Sequence, residues 1–474
     1  MRSIICFSDL NDSQKDAVLS SLETRECKHQ NTVKLIWGPP GTGKTTTVSV
    51  LLFSLLRMKC RTLTCAPTNI AVLEVTQRLL KNVTESLEYD TYGLGDIVLF
   101  GNRERMKIDD HYDLLDVFLD NRVSILYECL VPSTGWKDSL LSMISFLKDP
   151  KREYRLYLKT RRVVENEEEE NDGISENKGI NVNQGKEIDD QSSKDKKSKK
   201  NLKKVIIQTL NENKNKKTQK EMRPLWKEKK LEYEEIESGD NSSQDKENEG
   251  QGTDECDNPL TFEEFLQKRF NCISKRLSYC IENLYTHLPT SFISLVVVKK
   301  MIKALDFLKS LETLLCAVSV TDKGLLEKVF SENVGTGLRH LTELSIVRNE
   351  CLGVLISLPQ KFPVPDFEDE YDIKEFCLQY SCLIFCTVSS SAKLHEVMAD
   401  LELLVIDEAA QLKECESTIP LQLPGIHHAI LVGDERQLPA MVKSKVQNFI
   451  FMVLLFSLFV FKIYQCNIFK IFYH

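Results

Sequence analysis

Fifteen cysteines are scattered through these 474 residues without one C-x-x-C pair, and no histidine lies nearby at ligand spacing. That absence excludes the common zinc motifs and a thioredoxin-like dithiol. Cys377, Cys382 and Cys386 come closest to a cluster, but they lie in the apolar stretch 376–387 and are expected to be buried free thiols. The first residues lack the long apolar core of a signal peptide. Reduced thiols in the nucleus or cytoplasm fit this usage best, with the nucleus slightly favoured. Positive charge is not in excess either. The formal net charge is −8, so no global basic field advertises a polyanion, although a local groove can still be basic. Long apolar runs are scarce too. The longest, 449–461, has thirteen residues with only Ser457 polar; as a helix it would span about 20 Å of a hydrocarbon core of about 30 Å.

What is present is more specific. Gly38-Pro39-Pro40-Gly41-Thr42-Gly43-Lys44-Thr45 follows the apolar run 33–37 and precedes a stretch, 46–58, that reads as a helix. Strand, glycine loop and helix together form a phosphate cradle. Glycines at 38, 41 and 43 let backbone N–H groups turn inward around a phosphate chain where a Cβ would obstruct them. The helix N-terminus adds partial positive charge at the anion, and Thr46 continues that first turn. Lys44 can reach the β- and γ-phosphates, and the Thr45 hydroxyl can ligate Mg²⁺. A structural glycine turn is the plainer alternative. The stronger reading is a nucleoside triphosphate site.

The surrounding pattern is α/β. Continuous apolar runs at 33–37, 61–66, 382–386, 403–406 and 429–432 suit strands of a parallel sheet covered on both faces. Helices are expected at 13–25 and 69–82, which gives one doubly wound domain split into residues 1–107 and 381–445. An insertion, 108–380, separates the halves. Its outer parts read as amphipathic helices over 112–129, 136–159, 261–288, 294–316 and 338–358. Its middle, 165–257, is crowded with Glu, Lys, Asn, Ser and Asp, lacks the apolar content to offset chain entropy, and is expected to be disordered. The lysines between Lys194 and Lys204 there read either as a nuclear-import signal or as a solvated charge run. Residues 446–474 form an atypical apolar tail rich in the residues that A/T-rich codons encode. Translation into an unspliced intron is the preferred account of that tail, and a membrane anchor the other.

Two further motifs sit at strand ends. The run 403–406 leads into Asp407-Glu408-Ala409-Ala410-Gln411, so that Asp407 can hold Mg²⁺ and Glu408 can orient and deprotonate an attacking water. The run 429–432 leads into Gly433-Asp434-Glu435-Arg436-Gln437-Leu438-Pro439-Ala440, where Gln437 is suited to sensing the γ-phosphate. An acidic first helical turn is the bland reading of Asp407 and Glu408; beside a phosphate loop it is the weaker one.

These three motifs resemble motifs I, II and III of superfamily 1 helicases, in wording closest to the branch that includes senataxin and the nonsense-mediated-decay helicase. Residues 10–18 are similar to the family's Q motif, which implies that Gln14 reads the adenine edge. Pro67, Thr68 and Asn69 lie in a stretch resembling motif Ia, and Thr387 and Ser389 in a hydroxyl-rich segment before motif II. The resemblance implies that both grip nucleic-acid backbone. It implies a RecA-like P-loop NTPase fold, an ATP hydrolase using Mg²⁺, and single-stranded RNA or DNA as partner. The insertion matches the family's helical prong in position. The resemblance stops near residue 445, where the family has a second RecA-like lobe with its arginines. A catalytically weak ATP- and nucleic-acid-binding module is therefore the alternative to a helicase motor domain.

Overall fold

The structure, a computed structural model, describes residues 5, 9–27, 29–89, 91–132, 134–175, 259–321, 339–362, 364, 367, 369–397, 401–434 and 470–471. In chain order the elements begin α1 (Asp12–Thr24), β1 (Thr32–Trp37), α2 (Lys44–Arg57), β2 (Thr62–Ala66), α3 (Asn69–Thr84), β3 (Ile97–Leu99) and α4 (Arg103–Met106). Next come α5 (Leu119–Leu130), α6 (Trp136–Lys148), α7 (Pro150–Ser175), α8 (Phe262–His287), α9 (Leu295–Thr321) and α10 (Arg339–Lys361). The last are α11 (Glu370–Tyr380), β4 (Leu383–Thr387), β5 (Leu403–Ile406), α12 (Glu414–Leu421), β6 (His428–Gly433) and β7 (Lys470–Ile471).

The chain divides into two compact units, one of residues 1–148, 273–315 and 336–474, the other of 149–272 and 316–335. The first unit is built on an all-parallel sheet in the order β3-β4-β2-β5-β6-β1-β7. This is the α/β, RecA-like parallel sheet expected from the apolar runs. Every residue of β2, β4 and β5 is buried, which is why those strands read as unbroken apolar or β-branched stretches. Helix α2 covers the sheet with Val48, Leu51, Leu52 and Leu55, and α3 with Val72, Val75 and Leu79, all within one core. Both stripes follow the three-to-four residue spacing of a half-buried helix.

Helical segments of the insertion are tied to this unit through polar contacts rather than apolar area alone. Arg122 of α5 is fully buried and donates to the carbonyls of Leu94, Gly95, Ile97 and Asp116. Near the end of α8, His287 Nδ1 lies 3.2 Å from the Asp116 carbonyl, and burial beside Arg122 lowers its pKa to about 3. Helix α10 lies against α6, with Arg348 donating to Leu147 O at 2.6 Å and Trp136 against Phe362 at 5.3 Å between ring centroids. In the second unit, Tyr154, Tyr157, Phe262 and Phe265 form a compact aromatic group between α7 and the start of α8.

Three expectations need correction. The strand β3 is additional to the five apolar runs. The expected helix 112–129 opens as a 3₁₀ turn over Tyr112–Val117 and becomes α-helical only at Leu119. The expected helix 136–159 breaks at Asp149, where Pro150 starts a new helix in the first-turn position proline favours. That helix, α7, continues to Ser175 into the charged stretch; the remainder of 165–257, the Lys194–Lys204 cluster and most of the 446–474 tail lie outside the described residues. Among the described residues no helix is long and apolar enough to cross a membrane.

Candidate functional site

The site lies where β1, β5 and β6 end. Trp37 and Gly433 are register partners, and Gly38 N–H donates to Gly433 O at 3.4 Å, so the glycine loop starts beside the end of β6. Strands β1 and β5 each neighbour β6, which brings the loop and the carboxylates to one sheet edge on either side of it. Within the loop Thr42 folds back on Pro39, its hydroxyl donating to Pro39 O at 2.8 Å. Pro39, Pro40 and Gly41 are exposed. Gly43 holds φ 79°, and a Cβ there would meet Gln14 Nε2 at 2.7 Å, so conformation and space both require glycine.

Gln14 is fastened at both ends. Its Oε1 accepts from Asn11 N–H at 2.9 Å in the capping box of α1, and its Nε2 donates to Thr42 O at 2.8 Å. The structure thus places Gln14 against the phosphate loop, 8% exposed. Lys44 opens α2, and its ammonium donates to Gly38 O at 2.7 Å and Pro39 O at 3.3 Å. Thr45 is half-buried in the first turn, and Thr46 is exposed beside it.

Asp407 follows β5 and is 3% exposed, its N–H donating to Cys65 O at 2.9 Å. Burial, with the Glu408 charge next, pushes its pKa up to about 6; the Glu408 N–H bond and Lys44 oppose that rise. Glu408 sits at φ 53°, the left-handed region that a residue with a Cβ seldom adopts. Its carboxylate accepts from Gln411 Nε2 at 2.9 Å, which aims the side chain. Gly433 lets β6 pass this turn closely, since a Cβ would come within 3.1 Å of Ala410 N. Gln437 lies outside the described residues.

The second cluster is on the neighbouring strand ends. Ala66 and Thr387 are register partners, and Val388 N–H donates to Ala66 O at 3.0 Å, so residues 66–69 and 387–390 adjoin. Thr68 is exposed and caps α3, its hydroxyl accepting from Ala71 N–H at 3.2 Å. Pro67 and Asn69 are half-buried. Thr387 is 7% exposed, and its hydroxyl holds the turn through Ser390 N–H at 3.2 Å. Ser389 carries the exposed hydroxyl of that pair. Sequence reasoning missed α4: Asn69 Nδ2 donates to Arg105 O at 3.0 Å, which sets the exposed Arg105 and Lys107 beside the loop. The signal was a Gly-Asn turn followed by alternating basic residues after β3. Ile70, 77% exposed, was missed too.

Fold and glycine loop define a P-loop α/β protein of the RecA type. A family model described as an AAA domain matches residues 9–260 and 367–445, well over half of the sequence. The chain belongs to that family, in the branch of superfamily 1 helicases of the senataxin and nonsense-mediated-decay type. It is similar to DNA-binding protein SMUBP-2 of Rattus norvegicus, 44% identical over 70 residues, 15% of this chain and 6% of that protein. It is 42% identical over 78 residues to ATP-dependent helicase NAM7 of Saccharomyces cerevisiae, 16% of this chain and 7% of that protein. DNA polymerase alpha-associated DNA helicase A of Schizosaccharomyces pombe is 41% identical over 71 residues, 15% of this chain and 10% of that one. The matched stretches therefore span a small fraction of these relatives' lengths.

Proposed function

We propose that this chain is the first motor domain of an ATP-dependent nucleic-acid helicase, hydrolysing ATP to move along single-stranded RNA or DNA in the nucleus or cytoplasm. One observation carries the reading. Strand β2 joins the two clusters: its Cys65 carbonyl binds the Asp407 N–H, and the next residues enter the loop that bears Pro67, Thr68 and Asn69. A shift at the carboxylates on ATP turnover then reaches the nucleic-acid loop through one rigid strand. Residues 38–43 would wrap the phosphates with backbone N–H groups, Lys44 would meet their charge, and Gln14 would hold the loop and face the base. The hard oxygen donors Thr45 and Asp407 fit Mg²⁺. Bound there, Mg²⁺ would neutralise phosphate charge. Glu408, fixed by Gln411, would take the proton of the attacking water, and Gln437 would report the γ-phosphate to the neighbouring segment.

Asp407 supplies one test. Its pKa is raised above the ordinary value of 3.8, so between about pH 4 and 6 the folded chain holds a proton that the unfolded chain has released. This contribution to stability falls as pH rises through that window, and the full cost remains above pH 6. Asp407→Asn should therefore raise the melting temperature near neutral pH, by up to about 3 kcal/mol of stability, while abolishing Mg²⁺-dependent tightening of ATP binding. At pH 5, Mg²⁺ with ATP should release up to about one proton more from the parent than from Asp407→Asn, since the proton of ATP itself is common to both, and at pH 8 the two should not differ, as calorimetry in buffers of different ionisation enthalpy would show. Equal proton release by parent and variant at pH 5 would remove Asp407 from the metal site.

The nucleic-acid edge supplies the second. Hydroxyls, an amide and the cations Arg105 and Lys107 suit phosphate and sugar contacts that carry little sequence information. Fluorescence anisotropy should show binding of a labelled single-stranded oligonucleotide that depends weakly on sequence and weakens with salt. Charge reversal of Arg105 and Lys107 together should cost on the order of tenfold and flatten the salt slope by about two. Crosslinks confined to Lys194–Lys204 would instead move binding to the insertion.

A further inference from the structure

Away from the nucleotide edge, a cavity of about 450 Å³ opens between α5 and α8, within the first unit. That is the size at which a pocket encloses one small ligand or one nucleotide. Tyr127, Glu128 and Val131 line it from α5, and Lys275, Arg276 and Tyr279 from α8. Helical spacing explains the grouping, since residues three or four apart share a face. Both tyrosine rings stay open to solvent, 40% exposed at Tyr127 and 42% at Tyr279.

Hydrogen bonds fix these groups before any ligand arrives. Arg276 Nε donates to Thr134 O at 2.6 Å, which pins the guanidinium by one edge. The Tyr279 hydroxyl donates to Glu128 Oε2 at 3.0 Å, which holds that ring and engages the one carboxylate in the wall. Burial, and then that bond, push the Tyr279 hydroxyl up to about 12, so the ring stays neutral and adds no repulsion for an anion. Lys275 and Arg276 are both exposed, so the rim sets two cations against one engaged carboxylate. Open rings beside a pinned guanidinium suit a ligand that joins an aromatic plane to a phosphate. Every base offers a face for stacking, and the guanidinium fork matches phosphate oxygens.

The cavity also lies within reach of the loop cluster at the sheet edge. Phe118 bridges Leu99 at the end of β3, the strand that leads into α4 with Arg105 and Lys107, and α5 starts at the next residue, Leu119. Tyr127 stands about two turns along α5, on the order of 12 Å from Leu119. We propose that this cavity binds one nucleotide of a single strand, its base on the Tyr127 and Tyr279 rings and its phosphate at Arg276 and Lys275. This site presupposes a nucleic-acid motor and adds a contact outside its sheet edge. A strand leaving the loop that bears Pro67, Thr68 and Asn69 passes Arg105 and Lys107 and reaches the cavity along α5. Such a contact is indifferent to sequence, because stacking uses the face of a base and not its edge.

The test is photocrosslinking of the full chain to a labelled single-stranded oligonucleotide with 5-bromouracil at successive positions, followed by peptide mass mapping. Expected are crosslinks at Tyr127 or Tyr279 from one position and at residues 66–70 from another. Tyr127→Ala should weaken binding about fivefold or more, and Tyr279→Phe, which keeps the ring, should retain its crosslink. Lys275→Gln with Arg276→Gln should flatten the salt slope by about one to two. Thermal melts check that the variants are folded, and the parent's crosslink map decides the matter without them. Crosslinks at residues 66–70 with none at Tyr127 or Tyr279 would overturn this site and leave the sheet-edge reading standing; no crosslink anywhere would overturn both. Loss of the tyrosine crosslink to excess nucleoside monophosphate would also overturn it, since the cavity would then take a free nucleotide and not a strand.

Discussion

Lys44→Ala is expected to weaken ATP binding by on the order of 100-fold while leaving the fold intact. The ammonium lies at the N-terminus of α2, bonded to the Gly38 and Pro39 carbonyls and half-buried, so it contributes charge at the loop rather than packing in the core. A hydrogen bond to a charged group is worth about 1.5–3 kcal/mol, so the loss of one such contact to phosphate, with its charge, corresponds to roughly that factor. The stability balance runs differently. Alanine removes two bonds to carbonyls that remain partly open to water, and it suits the start of a helix. The thermal shift produced by ATP should therefore vanish in the variant, with a melting temperature in nucleotide-free buffer close to the parent's. A variant that keeps its ATP-dependent shift would sink the assignment of Lys44, and with it the phosphate loop as nucleotide site.

Much of this arrangement was legible because the local rules and the fold agree. The strand at 33–37, the glycines and the helix after them each have one economical conformation, and together they specify the loop. Asp407 and Glu408 were visible as carboxylates at the end of a buried apolar run. Other features depend on contacts that no local window contains. Strand β3 is three residues long, too short to announce itself against a background of turns. Arg122 is a charged residue in an amphipathic helix, which in sequence reads as a solvated face. Only the fold gives it four backbone carbonyls and makes burial tolerable. Gln14 has the right neighbours for a helix cap, but its bond to Thr42 O joins residues in separate elements. Thr387 is more buried than its place at a strand end suggests, and its hydroxyl accepts from Ser390 N–H within its own turn, a local bond that the hydroxyl-rich run does not announce.

Glu408→Gln should keep Mg²⁺-ATP binding near the parent's and lower turnover by a factor on the order of 10²–10⁴. The argument starts from the backbone. A non-glycine residue at φ 53° costs on the order of 1 kcal/mol or more, and such residues persist where the surrounding structure fixes them for a purpose. Here Gln411 Nε2 holds one of the Glu408 oxygens, leaving the other to accept a proton from water. Glutamine keeps the volume, so the turn should survive, but its amide cannot take a proton at working pH. Binding relies on the loop, Lys44 and Asp407, none of which this substitution touches. Relief of the charge that raises the Asp407 pKa should even favour ionised Asp407 slightly and hold the metal as well as before. Nucleotide affinity and nucleic-acid-stimulated hydrolysis, measured side by side in the whole protein, separate the two roles. Should affinity and turnover fall together, Glu408 belongs to the metal site or to the turn, and the proton acceptor must be sought elsewhere on this sheet edge.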